Sequence, residues 1–157
     1  MEDNKTGTII KTDSKIKGIF LEIGDLSCGY ATAREIRNAI NDFEKSGKFV
    51  VAYNGGEVIT QKEYYVSSAA NEVYGFPSST MEFIGLGAEL SFFKGTLDKL
   101  EVEVQVIRGS NNDFKSAVEP FFRENMSDSS RVQIERYLTS MWEDIRTDIS
   151  ADRKVKI

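Results

Sequence analysis

Short apolar runs alternate with longer amphipathic stretches along this chain. Gly18-Ile19-Phe20-Leu21-Glu22-Ile23 is almost continuously apolar, the pattern of a strand covered on both faces. After a turn-rich stretch from Gly24 to Tyr30, residues Ala31 to Ser46 carry Ile36, Ala39, Ile40 and Phe43 at helical spacing. Lys45 in the last turn and Gly47 just beyond it are stop signals for that helix. Phe49 to Tyr53 reads as a second buried strand, closed by Asn54-Gly55-Gly56. The alternation continues with a helix over Thr60–Ala70, which puts Tyr64 and Ser68 on one face, and a short strand over Glu72–Phe76, ended by Pro77.

Farther on, Ala88–Leu100 predicts a helix striped by Leu90, Phe93 and Leu97. Glu101–Ile107 alternates strictly, with Val102, Val104 and Val106 on one side, as a strand with one face less covered would. The last element, about Asp128 to Ala151, repeats Ile134, Leu138, Met141, Trp142, Ile145 and Ile149 every three or four residues. Strands alternating with helices indicate βαβ units and a mainly parallel sheet. Met1 to Ser14 is polar, so residues 1–15 are expected to be a flexible lead-in and 16–157 one α/β domain without repeats or linkers.

Composition narrows the chemistry. The 157 residues suit one domain able to bury a core. There is no histidine, which excludes Ser-His and Cys-His nucleophile systems and any imidazole-ligated metal. With the single cysteine Cys28, neither an internal disulfide nor a thiolate zinc cluster can form. No cofactor or metal is expected. With 20 basic and 25 acidic side chains the net charge is −5, which argues against a nucleic-acid or anionic-membrane surface. No apolar run approaches a membrane span, and Met1 to Thr12 is too polar for a signal peptide. If the parent protein is anchored or exported, the expected signal lies outside this chain.

Two glycine motifs carry little. Gly85-Leu86-Gly87 lacks the third glycine of a dinucleotide fingerprint and the lysine-serine pair of a P-loop, and reads as a tight turn. Gly24-Asp25-Leu26-Ser27-Cys28-Gly29 has the wrong spacing for a nucleophile elbow, and no histidine exists to activate its serine. Carboxylates, lysine and tyrosine remain as general bases. Lys115 differs from the other lysines because it lies in an apolar stretch, Phe114-Lys115-Ser116-Ala117-Val118-Glu119-Pro120-Phe121-Phe122. It would open a short helical turn, whose unpaired N–H groups disfavour a cation, with Arg108 as a second positive influence. The residues alone leave it open whether Lys115 is a general base or a surface lysine whose stem lies along apolar side chains.

The segment FKSAVEPFFRENMS, Phe114 to Ser127, closely resembles the lysine-bearing segment of the signal peptide peptidase family (SppA, protease IV). KGIFLEIG at Lys17–Gly24, ATAREIRNAINDFEKSGKFVVAY at Ala31–Tyr53, EYYVSSAANEVY at Glu63–Tyr74, GLGAELSFFKGTLDKL at Gly85–Leu100 and VEVQV at Val102–Val106 match in the same order. The resemblance runs from about Ile16 to about Ile149. It implies a ClpP/crotonase-like α/β fold, a βαβ superhelix with a mainly parallel sheet. It further implies a membrane-associated, extracytoplasmic (periplasmic) serine protease of the bacterial inner membrane, with a Ser-Lys dyad, that degrades cleaved signal peptides.

In the long, two-domain form of the family the N-terminal domain donates the general-base lysine and the C-terminal domain the nucleophilic serine, in a segment resembling S-G-G-Y-W. This chain resembles the N-terminal domain, with Lys115 in the lysine's place and Ser116 as possible support. Aligning Tyr64-Tyr65 with Y-W puts Gln61-Lys62-Glu63 where S-G-G would stand. Gln61 cannot be a nucleophile, and the two glycines that would open backbone N–H groups to an oxyanion are absent. The implied state is half an active site, a fragment inactive alone, whose partner is the C-terminal catalytic domain of the same parent.

A homo-oligomer and apolar signal-peptide substrates are the other implied partners. Phe114, Phe121 and Phe122 either line the peptide groove or pack in the core. One departure is the polar, longer connection Arg108–Asp113 before the lysine segment. The alternative function is a non-catalytic scaffold or oligomerisation domain of the same protease. An acyl-CoA enzyme of crotonase type would share the fold but has no sequence support.

Overall fold

The apolar run Gly18–Ile23 forms strand β1, which pairs in parallel with β2 (Phe49–Asn54), setting Ile19 against Val50 and Leu21 against Ala52. Between them runs helix α1, Tyr30–Glu44, and Gly47 beyond its end adopts φ +79°. That left-handed conformation is the one a glycine adopts at no steric cost. β2 also pairs in parallel with β4, Glu72–Gly75, so the three-stranded sheet has the order β1-β2-β4. Two short strands that the sequence pattern did not signal, β3 (Val58–Thr60) and β5 (Thr80–Glu82), form a second parallel pair. At three residues each, they are too short for a period-2 pattern to stand out.

This computed structural model describes residues 10–107, 109 and 115–156. They fall into two compact units: one runs up to Gly85 and resumes at Ile145, and the other is Leu86–Asp144. Every strand among the described residues lies in the first unit. Its core is Val50 and Ala52 of β2, Ala33, Ile40 and Phe43 of α1, and Tyr65 and Val66 of α2, the helix Gln61–Ser67. Ile145 and Ile149 complete it from α5, the helix Asp128–Arg153. Alternation sends Val50 and Ala52 into that core and the side chains between them to the other sheet face. There Phe20 remains 66% exposed, so β1 is covered on one face and not, as its run of apolar residues predicts, on both. From the polar lead-in, Lys11 pairs with Asp42 at 2.8 Å, and the Lys48 ammonium donates to the carbonyls of Ile10 and Asp13.

The first unit also buries a cation. Arg37 of α1 is 2% exposed and lies 4.3 Å from the centre of the Tyr65 ring. Its guanidinium donates to the Tyr65 carbonyl, to Ser68 Oγ at 2.7 Å and to Asp152 Oδ2 at 2.6 Å. The Tyr65 hydroxyl donates to Asp148 at 2.6 Å, and Arg153 reaches the Ala70 carbonyl at 3.1 Å. The network therefore joins α1, α2 and the end of α5 through charge-assisted bonds.

In the second unit, helix α3 is only Lys94–Lys99, against the expected Ala88–Leu100. The amide of Phe93, which would bond inside the longer helix, donates instead to Pro120 O at 2.7 Å. Glu101–Ile107 forms no ladder either. The Val102 amide closes α3 on Leu97 O at 3.0 Å, Glu101 turns at φ +55°, and Val102, Val104 and Ile107 stay exposed. The short helix α4, Glu119–Phe122, and the long α5 follow. Among the described residues of this unit no apolar side chain is fully buried; the buried ones are Glu119 and Ser130.

Truncating Arg37 removes the cationic partner of Asp152 and one of the two donors on the Tyr65 carbonyl, the other being Ser68 Oγ at 3.0 Å. Arg37→Ala should lower unfolding stability by about 3 kcal/mol, with Arg37→Lys restoring only part, read from denaturant midpoints. Burial, and then the bond to Asp148, hold the Tyr65 phenol above its usual value near 10. The unfolded chain ionises first, so this contribution is complete below pH 10 and is lost as pH rises beyond it. In Tyr65→Phe the alkaline decline in stability should be shallower in an unfolding series from pH 9 to 12 (the range about the phenol's usual value).

Candidate active site

Lys115 stands in the second unit, exposed, at the start of the turn that leads into α4. The Ser116 carbonyl accepts the Glu119 amide at 2.9 Å and closes that turn, while the Ser116 side chain is half-buried. Proline is the second residue of α4, where its missing N–H has no helical partner to lose. Two further ties hold the segment: the Phe93 amide on Pro120 O, and the Phe93 ring stacked on Phe121, with centroids 6.1 Å apart. Phe121 is exposed and Phe122 half-buried. Phe114, Arg108 and positions 110–113 of the Arg108–Asp113 connection lie outside the described residues.

A feature that the sequence reading passed over lies four positions after the lysine. Glu119 is 5% exposed, and its carboxylate accepts from both Ser127 Oγ at 2.5 Å and Ser127 N at 3.1 Å. Ser127 Oγ in turn accepts the Ser130 amide at 3.1 Å, which caps α5. Its sequence signals were an acid inside an apolar run and a serine just ahead of a long helix. Neither shows that the two meet.

Gln61 belongs to the first unit, at the first position of α2. It is buried with both ends of its amide used: Nε2 donates to the Tyr30 hydroxyl at 3.0 Å, and Oε1 accepts from Gly85 N at 2.8 Å. Gly85 has φ +90°, so the Gly85-Leu86-Gly87 turn rests on a glycine-specific backbone tied to Gln61. The neighbours are engaged as well. Lys62 donates to Leu26 O at 3.1 Å, and Glu63 forms a capping box with Thr60. The geometry makes this position a structural tie with no hydroxyl to attack anything.

Among the described residues no cluster of three or more His, Cys, Asp or Glu is placed to hold a metal ion. No helix among them is long and apolar enough to cross a membrane.

The family model for peptidase family S49 matches residues 42–157. The chain is 35% identical over 145 residues to Protease 4 of Haemophilus influenzae, covering 92% of this chain and 23% of that protein. It is 34% identical over 146 residues to Protease 4 of Salmonella typhi, again 92% and 23%. With the chloroplastic serine protease SPPA of Arabidopsis thaliana it shares 38% identity over 118 residues, 75% of this chain and 17% of the relative. The chain thus spans 23% or less of the length of these curated relatives. The mixed α/β structure with parallel strands agrees with the ClpP/crotonase-like architecture that the resemblance implied.

If Gln61 is a tie, Gln61→Ser should cost about 1 kcal/mol through the unpaired Gly85 amide. It should also create no serine that a fluorophosphonate probe labels. Thermal unfolding and probe labelling of the variant check both.

Proposed function

The chain belongs to peptidase family S49, and from that premise we propose that it is the base-donating domain of a Ser-Lys protease of the SppA type. The observation that carries the reading is the built turn around Lys115, an exposed lysine on a segment fixed through Ser116, Glu119 and Pro120. A base on a rigid surface segment can meet a nucleophile supplied from elsewhere. In this reading the serine comes from a C-terminal domain of a longer protein, because Gln61 is committed to Tyr30 and Gly85.

Lys115 as the free amine accepts the proton of the serine hydroxyl as its oxygen attacks the peptide carbonyl. The resulting ammonium returns that proton to the leaving amine, and the acyl-enzyme forms. A water then attacks the ester, giving its proton to the amine again, and the serine is released with its proton restored. Ser116 supports the lysine through the turn that its carbonyl closes. The substrates are apolar peptides, cleaved signal peptides above all, at the extracytoplasmic face of a membrane. The chain alone is inactive because it holds the base without the nucleophile.

The exposed apolar sheet face that includes Phe20, Phe49 and Tyr74 favours a second role, as an assembly surface in a homo-oligomer. A domain that served only as scaffold would tolerate loss of the lysine.

In the full-length protein, Lys115→Ala should lower peptide hydrolysis by about 10³-fold while the protein stays folded. Hydrolysis at the wild-type rate, together with loss of the oligomer on deletion of the domain, would establish the scaffold role instead.

A further inference from the structure

We propose that Glu119 is a positioning residue for the reaction: its buried carboxylate fixes the turn carrying Lys115 to the N-terminus of α5. This rests on the reading of Lys115 as general base. In the second unit the turn is also tied by the Phe93 amide on Pro120 O and the Phe93 ring on Phe121, but the buried groups there are polar. None of its described apolar side chains is fully buried, whereas Glu119 is 5% and Ser130 1% exposed.

The bonds form one connected chain. From Ser116 O the path runs through the Glu119 amide at 2.9 Å into the residue whose carboxylate grips Ser127 at two atoms. Ser127 then passes the constraint on to Ser130 N through Oγ and to Arg131 N through its carbonyl at 2.9 Å. The Arg123 amide, bonded to Glu119 O at 2.9 Å, closes α4 from its other end.

The two acceptor oxygens of the carboxylate suit the two donors that Ser127 presents, its N–H and its O–H. An ionised carboxylate is acceptor-only and makes charge-assisted bonds of this kind stronger than neutral ones. With the 26-residue α5 as the far anchor, the turn cannot pivot without breaking that grip. A base must lie within hydrogen-bond reach of the hydroxyl it deprotonates, and a displacement of about 1 Å can cost 10²-fold in rate. Glu119 acts on the rate through the placement of Lys115.

The test uses the full-length protein and a fluorogenic apolar peptide, with thermal unfolding recorded for each variant. Glu119→Ala should lower kcat by about 10²-fold with KM unchanged, and should move the acid limb of the rate–pH profile. Glu119→Gln, which keeps one acceptor for Ser127, should recover part of the loss, and Ser127→Ala should shift kcat in the same direction. If Glu119→Ala does not fold, the Gln and Ser127 variants decide the matter. Full kcat in both of those overturns the proposal. So does a loss of activity that only tracks the unfolded fraction and leaves the pH profile in place. An inactive Lys115→Ala beside fully active folded Glu119 variants removes the positioning role alone. An active Lys115→Ala removes the base reading and this proposal with it.

Discussion

A guanidinium taken out of water must be met by acceptors on every side, and Arg37 sets that condition at the centre of the first unit. Its partners come from the Tyr65 carbonyl and Ser68 at the C-terminal end of α2 and from Asp152 near the end of α5. Tyr65 lies under the guanidinium, filling the face that hydrogen bonds cannot reach, and sends its own hydroxyl to Asp148. With α2 held in this way, the first residue of the same helix, Gln61, is held too, and with it the tie to Tyr30 and the Gly85 turn. The position where the family resemblance would set a nucleophile is thus part of the scaffold. An amide there meets two local needs that a hydroxyl could not meet together at that reach.

The second unit solves a different problem by similar means. Its backbone between Leu86 and Phe93 is irregular, and its apolar side chains stay partly open to solvent. The lysine-bearing turn is held by the carboxylate of Glu119 on Ser127, the cap on Ser130 and the main-chain bond from Phe93 to Pro120, beside the Phe93 ring stacked on Phe121. Directional bonds constrain angles that apolar packing leaves loose, which suits a segment that, in the proposed function, presents an amine. A peptidase of family S49 that draws its base from this turn would use the geometry of a buried acid to aim an exposed lysine.

Much of the first unit was legible because its elements have strong periods. β1 runs over Gly18–Ile23 as its apolar run predicts, and α1 ends just before Gly47, where a left-handed glycine is needed. Legibility failed where backbone amides were claimed from far away. Leu90, Phe93 and Leu97 have helical spacing, yet the Phe93 amide goes to Pro120, and only Lys94–Lys99 coils. Val102, Val104 and Val106 alternate like a strand, but alternation supplies only a face. A ladder needs a paired neighbour, and no described strand pairs with residues 101–107.

By itself the sequence determined the α/β class, the exclusion of histidine chemistry and the family likeness around Lys115. These depend on residue identity and on short-range order, which the chain carries along its length. Tertiary structure alone decided that Glu119 is buried against Ser127 and that Arg37 is enclosed by Asp152, Ser68 and Tyr65. It decided as well that Gln61 spans from Tyr30 to Gly85. Each of these is a hydrogen bond between groups that become neighbours only on folding. Their donors and acceptors look like ordinary water-facing polar groups until the fold takes their water away.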